Sequence, residues 1–231
     1  MRISWLFALC CLYALDASAQ APATPPPPVP ADVSPLYVVT YVELKPTASS
    51  DGGAVLKTWR DAQRKAEGNL RAEVVRHATR PGQFVVLAAW KNKAAFDAHA
   101  AAGQPFRDKL QSLRNAPADD RFHNALSVGS MDAARGALHV VTHVDVIPPR
   151  REDAVAALKI LGDASRAAEG NARFEVVQQT NRPNHFTVVE TWRSRQAYDA
   201  NTMSAHQRDF RDKLAQMTGA LYDERLYETL D

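Results

Sequence analysis

From residue 36 onward, apolar and polar side chains alternate. Val38, Thr40, Val42 and Leu44 fall on one side of an extended chain and Tyr37, Val39, Tyr41 and Glu43 on the other, until Pro46 ends the run. A period of two predicts a strand whose more apolar face is buried. The period then changes: Leu56, Trp59, Ala62 and Ala66 share a face at helical spacing, and Gly68 supplies the C-terminal stop. Two β-rich runs follow, residues 71–77 and 84–90, joined by Thr79-Arg80-Pro81-Gly82, the composition of a hairpin turn. A second helical region begins near Ala94 and carries Phe106, Leu110 and Leu113 at i, i+4, i+7, with a bend expected where Gly103 and Pro105 interrupt it. The last run, residues 121–126, is short enough to be read as an edge strand.

The same order then recurs. LYVVTYVELKP at residues 36–46 returns 102 residues later as LHVVTHVDVIP at 138–148, Glu67-Gly68-Asn69 as Glu169-Gly170-Asn171, Arg80-Pro81 as Arg182-Pro183, and Trp90 as Trp192. After a slip of two residues, FRDKL at 106–110 returns at 210–214. So long a period, present twice, is a duplicated globular unit of roughly 90 residues, since solenoid repeats are shorter and more numerous. The order β-α-β-β-α-β is the split, ferredoxin-like arrangement, a four-stranded antiparallel sheet with both helices on one face. Each unit leaves the other sheet face bare, and two units in one chain can cover both by closing their sheets on each other. The predicted fold class is therefore α+β: two tandem ferredoxin-like units, residues 36–126 and 138–230, closing into an intramolecular α+β barrel, a pseudo-dimer in one chain. Residues 127–137 are long enough to connect them.

Residues 1–35 lie outside the repeat. Arg2, an apolar run from Ile3 to Leu15 and Ala17-Ser18-Ala19 make a secretory signal pattern, with cleavage expected after Ala19 and a periplasmic or secreted product. The apolar run is short of the roughly 20 residues that span a bilayer, so no membrane association is expected after cleavage. Cys10 and Cys11, the only cysteines of the chain, leave with the signal, and no disulfide or thiolate ligand remains. Residues 20–35, rich in Pro and Ala, read as an extended linker. The formal net charge is +2, with both signs interspersed, which excludes a basic face for nucleic acid.

At these residues the chain resembles the antibiotic biosynthesis monooxygenase family, which includes small quinol monooxygenases. The resemblance rests on the strand ending at Pro148, the Glu169-Gly170 helix stop, Phe174-Glu175-Val176, the Arg182-Pro183-Asn184 turn, and Val189-Glu190-Thr191-Trp192 followed by Ala197-Tyr198-Asp199-Ala200. It covers both copies and is closer in the second. It implies oxygenation of a polycyclic phenol or quinol with no flavin, haem or metal. An electron-rich phenolate can itself reduce O₂, so the protein need only deprotonate the substrate, hold it and exclude water. The same superfamily holds haem-degrading enzymes, isomerases and proteins without known catalysis, so fold alone does not give the reaction.

The resemblance directs attention to a base and to aromatic walls. Strand parity puts Val140, Thr142, Val144 and Val146 under the helices and turns His139, His143 and Asp145 to the lumen or its rim. His143 is the preferred base, its ordinary pKa of roughly 6.5 lying nearest working pH, and it is expected beside Glu190 or Trp192. Tyr41 takes its place in the first copy. Glu190 matches the family's Glu-x-Trp pattern and is the second catalytic candidate, whereas the first copy has Ala88 before Trp90. Trp192 and Trp90 are candidate pocket walls. Asn201 and His99 occupy equivalent places in the second helical region, where family members carry a histidine facing the pocket, and His206 resembles the histidine of the family's Ser-Pro-His segment.

No metal site is expected. His139 and His143 share a strand face but stand about 13 Å apart, too far to ligate one ion, and no His-x-x-x-His or HExxH occurs. In the arrangement of the haem-degrading branch, haem would find no axial ligand. Two readings follow: a cofactor-independent oxygenase of an aromatic quinol, or a non-catalytic barrel, binding a small ligand or associated with stress.

Overall fold

The computed structural model describes residues 34–130 and 138–230. The first unit runs β1 (Leu36–Glu43), α1 (Ser49–Lys65), β2 (Asn69–His77), β3 (Gln83–Trp90), α2 (Lys93–Ala102), α3 (Gln104–Leu113) and β4 (Asp119–Ser127). The second repeats it as β5 (Leu138–Asp145), α4 (Arg151–Arg166), β6 (Asn171–Gln179), β7 (His185–Trp192), α5 (Arg195–Thr202), α6 (Ala205–Ala215) and β8 (Asp223–Thr229). The signal and nearly all of the linker expected at residues 1–35 lie outside the described residues.

Gly68 and Gly170 both have φ of +76°, the left-handed conformation that ends α1 and turns the chain into β2, and likewise α4 into β6. Each is also packed too tightly for a side chain: a Cβ on Gly170 would stand 2.5 Å from that of Ala197. The second helical region breaks in both units. In the first it bends at Gly103, as the sequence predicts; in the second it breaks at Met203, and Ser204 caps α6 by accepting from the backbone N–H of Gln207.

All eight strands form one closed antiparallel barrel in the order β1-β3-β2-β8-β5-β7-β6-β4. Here β4 and β8 correct the edge-strand expectation. β4 pairs with β1 of its own unit and β6 of the other, and β8 with β5 and β2. Each is the edge of its own four-stranded sheet and the seam to the other, which removes unpaired backbone N–H and C=O groups.

Parity decides the layers. Val140, Val144, Phe174, Val176, Phe186 and Val188 pack under the second unit's helices against Leu158, Leu161, Phe210 and Leu214. Val42, Val74, Phe84 and Val86 do the same under the first unit's helices, against Leu56 and Leu110. Leu56 and Leu158 are fully buried, each contributing roughly 1.5–3 kcal/mol from the area taken out of water. The odd-numbered residues fill the lumen: Val39, Val75, Val85, Leu87, Val141, Val189 and Tyr227 pack together there. Two reciprocal ion pairs cross it. Arg71 donates through two nitrogens to Glu175, at 2.8 and 2.6 Å, and Arg173 donates to Glu73 at 2.6 Å. The lumen is therefore a packed and charge-paired core.

Candidate functional site

The strongest chemistry lies between sheet and helices in the second unit. Glu190, in β7, sits directly opposite Val140 and Phe174, so its side chain points to the helix side. There it is buried, and Trp192 Nε1 donates to its Oε2 at 2.8 Å. Burial raises the Glu190 pKa to about 8; Glu224 adds to the rise, while the Trp192 hydrogen bond and Arg211 oppose it. Near neutral pH it is thus mostly a protonated acid, able to ionise in the range where phenols begin to.

Around it stands a polar group drawn from three elements. Tyr198, on α5, donates its hydroxyl to Glu224 Oε1 at 2.5 Å. Arg211, on α6, lies 3.5 Å from Glu224 Oε2 and places its guanidinium 3.5 Å over the Tyr222 ring. Burial first, then Glu224, pushes the ionisation of both tyrosines well above the usual phenol range, so they serve as hydrogen-bonding groups. Trp192 and Tyr198 meet edge to face at 6.4 Å between centroids. Asn201 is buried; its Oδ1 is 2.9 Å from His206 Nε2, and its Nδ2 has no acceptor among the described residues. His206, which also contacts Ser204 Oγ at 3.1 Å, belongs to the junction between α5 and α6.

The first unit has the same scaffold without the acid. Trp90 is fully buried like Trp192, but with Ala88 in place of Glu190 its Nε1 finds no acceptor among the described residues. His99, in the place of Asn201, stacks on Trp90 at 5.1 Å, and burial together with Arg107 lowers its pKa. Phe96 stands where the second unit has Tyr198, and packs edge to face on Phe122 and Trp90.

The lumen-facing candidates lie elsewhere. His139 is buried, bonded to Thr191 Oγ1 at 3.1 Å and Thr229 Oγ1 at 2.9 Å, and burial lowers its pKa to about 4. His143 is half-buried at the lumen's end. It does not stand beside Glu190 or Trp192 as expected from the sequence: its cross-strand neighbour is Thr187, and a residue of that parity faces the opposite side of the sheet from Glu190. It does share a place with Tyr41. Arg121 Nη1 is 3.5 Å from His143 Nδ1, and the same guanidinium lies 4.7 Å over the Tyr41 ring. A cavity of about 160 Å³, lined in part by Tyr41, Gln83, Asp119 and Arg225, opens beside them.

Sequence periodicity did not single out Tyr198, Tyr222 or Glu224. A signal for Glu224 was available, since it shares strand parity with Leu226, which packs against the second unit's core. For Tyr198 the cue was its place one turn into the helix after Trp192.

Residues 35–105 and 137–213 match the antibiotic biosynthesis monooxygenase family, more than half of the chain and both copies. The chain belongs to this family. It is 28% identical over 81 residues to the protein named "Putative monooxygenase YcnE" of Bacillus subtilis, an alignment covering 35% of this chain and 85% of that one. Among solved structures it is similar to a "putative monooxygenase" of Fusobacterium nucleatum, at TM-score 0.77 and 13% identity over 86% of this chain and 94% of the other. An anthrone oxidase-like protein aligns at TM-score 0.65 and 13% identity, covering 86% of this chain and 92% of the other. At such identities the structural likeness concerns the fold.

Proposed function

We propose that this chain is an exported monooxygenase of electron-rich aromatics, quinols or anthrones, working on the helix side of the sheet in its second unit, around Glu190. The observation that carries the reading is Glu190, a buried carboxyl with pKa near 8, held by Trp192 and close enough to Glu224 to feel its charge. A base poised there matches an acidic phenol or anthrone. One structural relative is named an anthrone oxidase-like protein, which agrees with that substrate class.

For an anthrone the balance is R₂CH₂ + O₂ → R₂CO + H₂O. Ionised Glu190 takes a proton from the substrate, and the resulting anion passes one electron to O₂. The two radicals combine to form the C–O bond, and the acid form of Glu190 returns its proton to the peroxide. Loss of the second C–H proton and cleavage of the O–O bond release ketone and water. Asn201, through its Nδ2, offers a donor for a substrate oxygen, and Trp192 offers a wall against water.

Oxygen-electrode rates on a panel of anthrones and naphthohydroquinones test this. Glu190→Gln should reduce turnover by roughly 10² or more, Tyr41→Phe should change it little, and the wild-type rate should climb as pH rises through 8. An equal loss from His143→Ala would return the base to the lumen. No turnover with any member of the panel would favour the ligand-binding reading. Intact mass of the exported protein, expected to begin at Gln20, tests the proposed signal cleavage.

A further inference from the structure

The lumen's end holds a second constellation, on the opposite face of the sheet from Glu190. His143 and Asp145 are two apart on β5 and so project to the same side, and His185 on β7 lies directly across from Asp145. His143 Nε2 is 3.2 Å from His185 Nδ1, and His185 Nε2 is 3.5 Å from Asp145 Oδ1. One ligand atom from each of the three falls within a 4.8 Å spread. Two nitrogens bound to one tetrahedral ion at about 2.0–2.1 Å stand about 3.3 Å apart, so the two imidazoles are already at ligand spacing. All three residues are half-buried, and the carboxylate, which lies against the other nitrogen of His185, closes the longer edge by turning toward Nδ1. Asn184 donates to Asp145 Oδ1 at 3.3 Å and to the Val146 carbonyl at 2.8 Å, holding that carboxylate over the strand end.

The duplication supplies the control. The equivalent positions of the first unit are Tyr41, Glu43 and Gln83. Where one copy has a phenol, a carboxylate and an amide, the other has two imidazoles and a carboxylate, meeting on one face.

We propose that His143, Asp145 and His185 form a binding site for a divalent first-row transition-metal ion, a two-histidine, one-carboxylate set with positions left for water or an exogenous ligand. The ion replaces the hydrogen bond between the two imidazoles and fastens the ends of β5 and β7. Arg121 is the group that opposes it. Its Nε and Nη2 are tied to Asp119 at 2.9 and 2.8 Å, and its Nη1 approaches His143 Nδ1 at 3.5 Å. That contact is at the outer limit of a hydrogen bond, so the guanidinium can yield, but its charge weakens the site.

The test is titration of Co²⁺ and Zn²⁺ into the full-length, chelator-treated chain by calorimetry, with the visible bands of Co²⁺ as a reporter of nitrogen ligation. One ion per chain should bind, with Kd on the order of micromolar or tighter, and the melting temperature should rise with metal. His143→Ala and His185→Ala should each weaken binding by roughly 10² or more, and Asn184→Ala by roughly 10-fold, the usual effect of losing a group that orients a ligand. Glu43→Gln, at the first unit's equivalent of Asp145, should leave it unchanged. Arg121→Gln should tighten binding, a sign no merely structural role of these histidines predicts. Circular dichroism of each variant separates loss of the site from loss of the fold. Stoichiometric binding that survives the His143→Ala, His185→Ala double variant, or no binding stronger than millimolar in the wild type, would overturn the proposal.

Discussion

The two units share a backbone plan and differ where chemistry would be done. Under the helices, Glu190, Tyr198, Asn201 and Glu224 of the second unit stand against Ala88, Phe96, His99 and Asp120 of the first. The positions that hold each unit together are nearly unchanged: Trp90 and Trp192, Leu56 and Leu158, Phe84 and Phe186, Gly68 and Gly170. Packing tolerates few changes of volume, whereas the polar groups under the helices differ freely between the two copies. Trp90 marks the difference: its indole N–H is buried without an acceptor among the described residues, with Ala88 in the place that Glu190 takes in the other unit.

The largest effect is expected where the units meet instead of where they differ. Arg71→Met strands Glu175, whose side chain is 2% exposed, and should cost about 3–5 kcal/mol of stability in urea unfolding, much of it recovered by adding Glu175→Met. The reciprocal pair sharpens this. Arg173→Met leaves Glu73, 14% exposed, better placed to reach water, and should cost less. Equal losses would mean that the two pairs are energetically symmetrical despite their different exposure.

Trp192→Phe and Trp90→Phe remove similar volumes from equivalent sites, so the difference between them reports the indole hydrogen bond. The Trp192 variant should be worse by about 1–3 kcal/mol, because Glu190 loses a partner in a buried setting while Trp90 has none to lose. It should also shift the pH profile of turnover upward, since that hydrogen bond favours the ionised carboxylate. If the two substitutions cost the same, the Trp192–Glu190 bond contributes nothing net.

The smallest effect compares the two buried lumen histidines, His123 of the first unit and His139 of the second. Both are held neutral, with burial lowering their pKa to about 4. Unfolded, each would take a proton near pH 6.5, so the stability they contribute is whole above 6.5, declines as pH falls, and is fully lost below about 4. Each should account for about 1 kcal/mol of loss by pH 5.5. His139→Gln should flatten the stability profile over that window; an unchanged slope would show that this histidine titrates normally.

Much of the plan was legible along the chain because it depends on local periods. The period-two runs gave β1 and β5 with the right face inward, and the two glycines marked the helix ends because only they adopt φ of +76° there cheaply. Glu190 and Trp192 stood out as neighbours of like parity, which is enough to bring a carboxylate and an indole together in a strand. The relation of His143 to Glu190 was misread because side-chain parity was applied within one strand and not carried across to the next. The cluster of His143 with His185 has no signature in sequence spacing, because the two are 42 residues apart and meet only through the β5–β7 register.

The sequence by itself determined the duplicated β-α-β-β-α-β order, the helix stops and the face that β1 and β5 bury, since these follow from spacing and from which residues tolerate which backbone angles. Only the tertiary structure decided that β4 and β8 are seams, that the lumen is filled by crossed Arg–Glu pairs, and that one sheet carries an acid on one face and a pair of imidazoles on the other. Those features depend on which strands lie side by side. Pairing register joins residues from distant parts of the chain, and no local period encodes it.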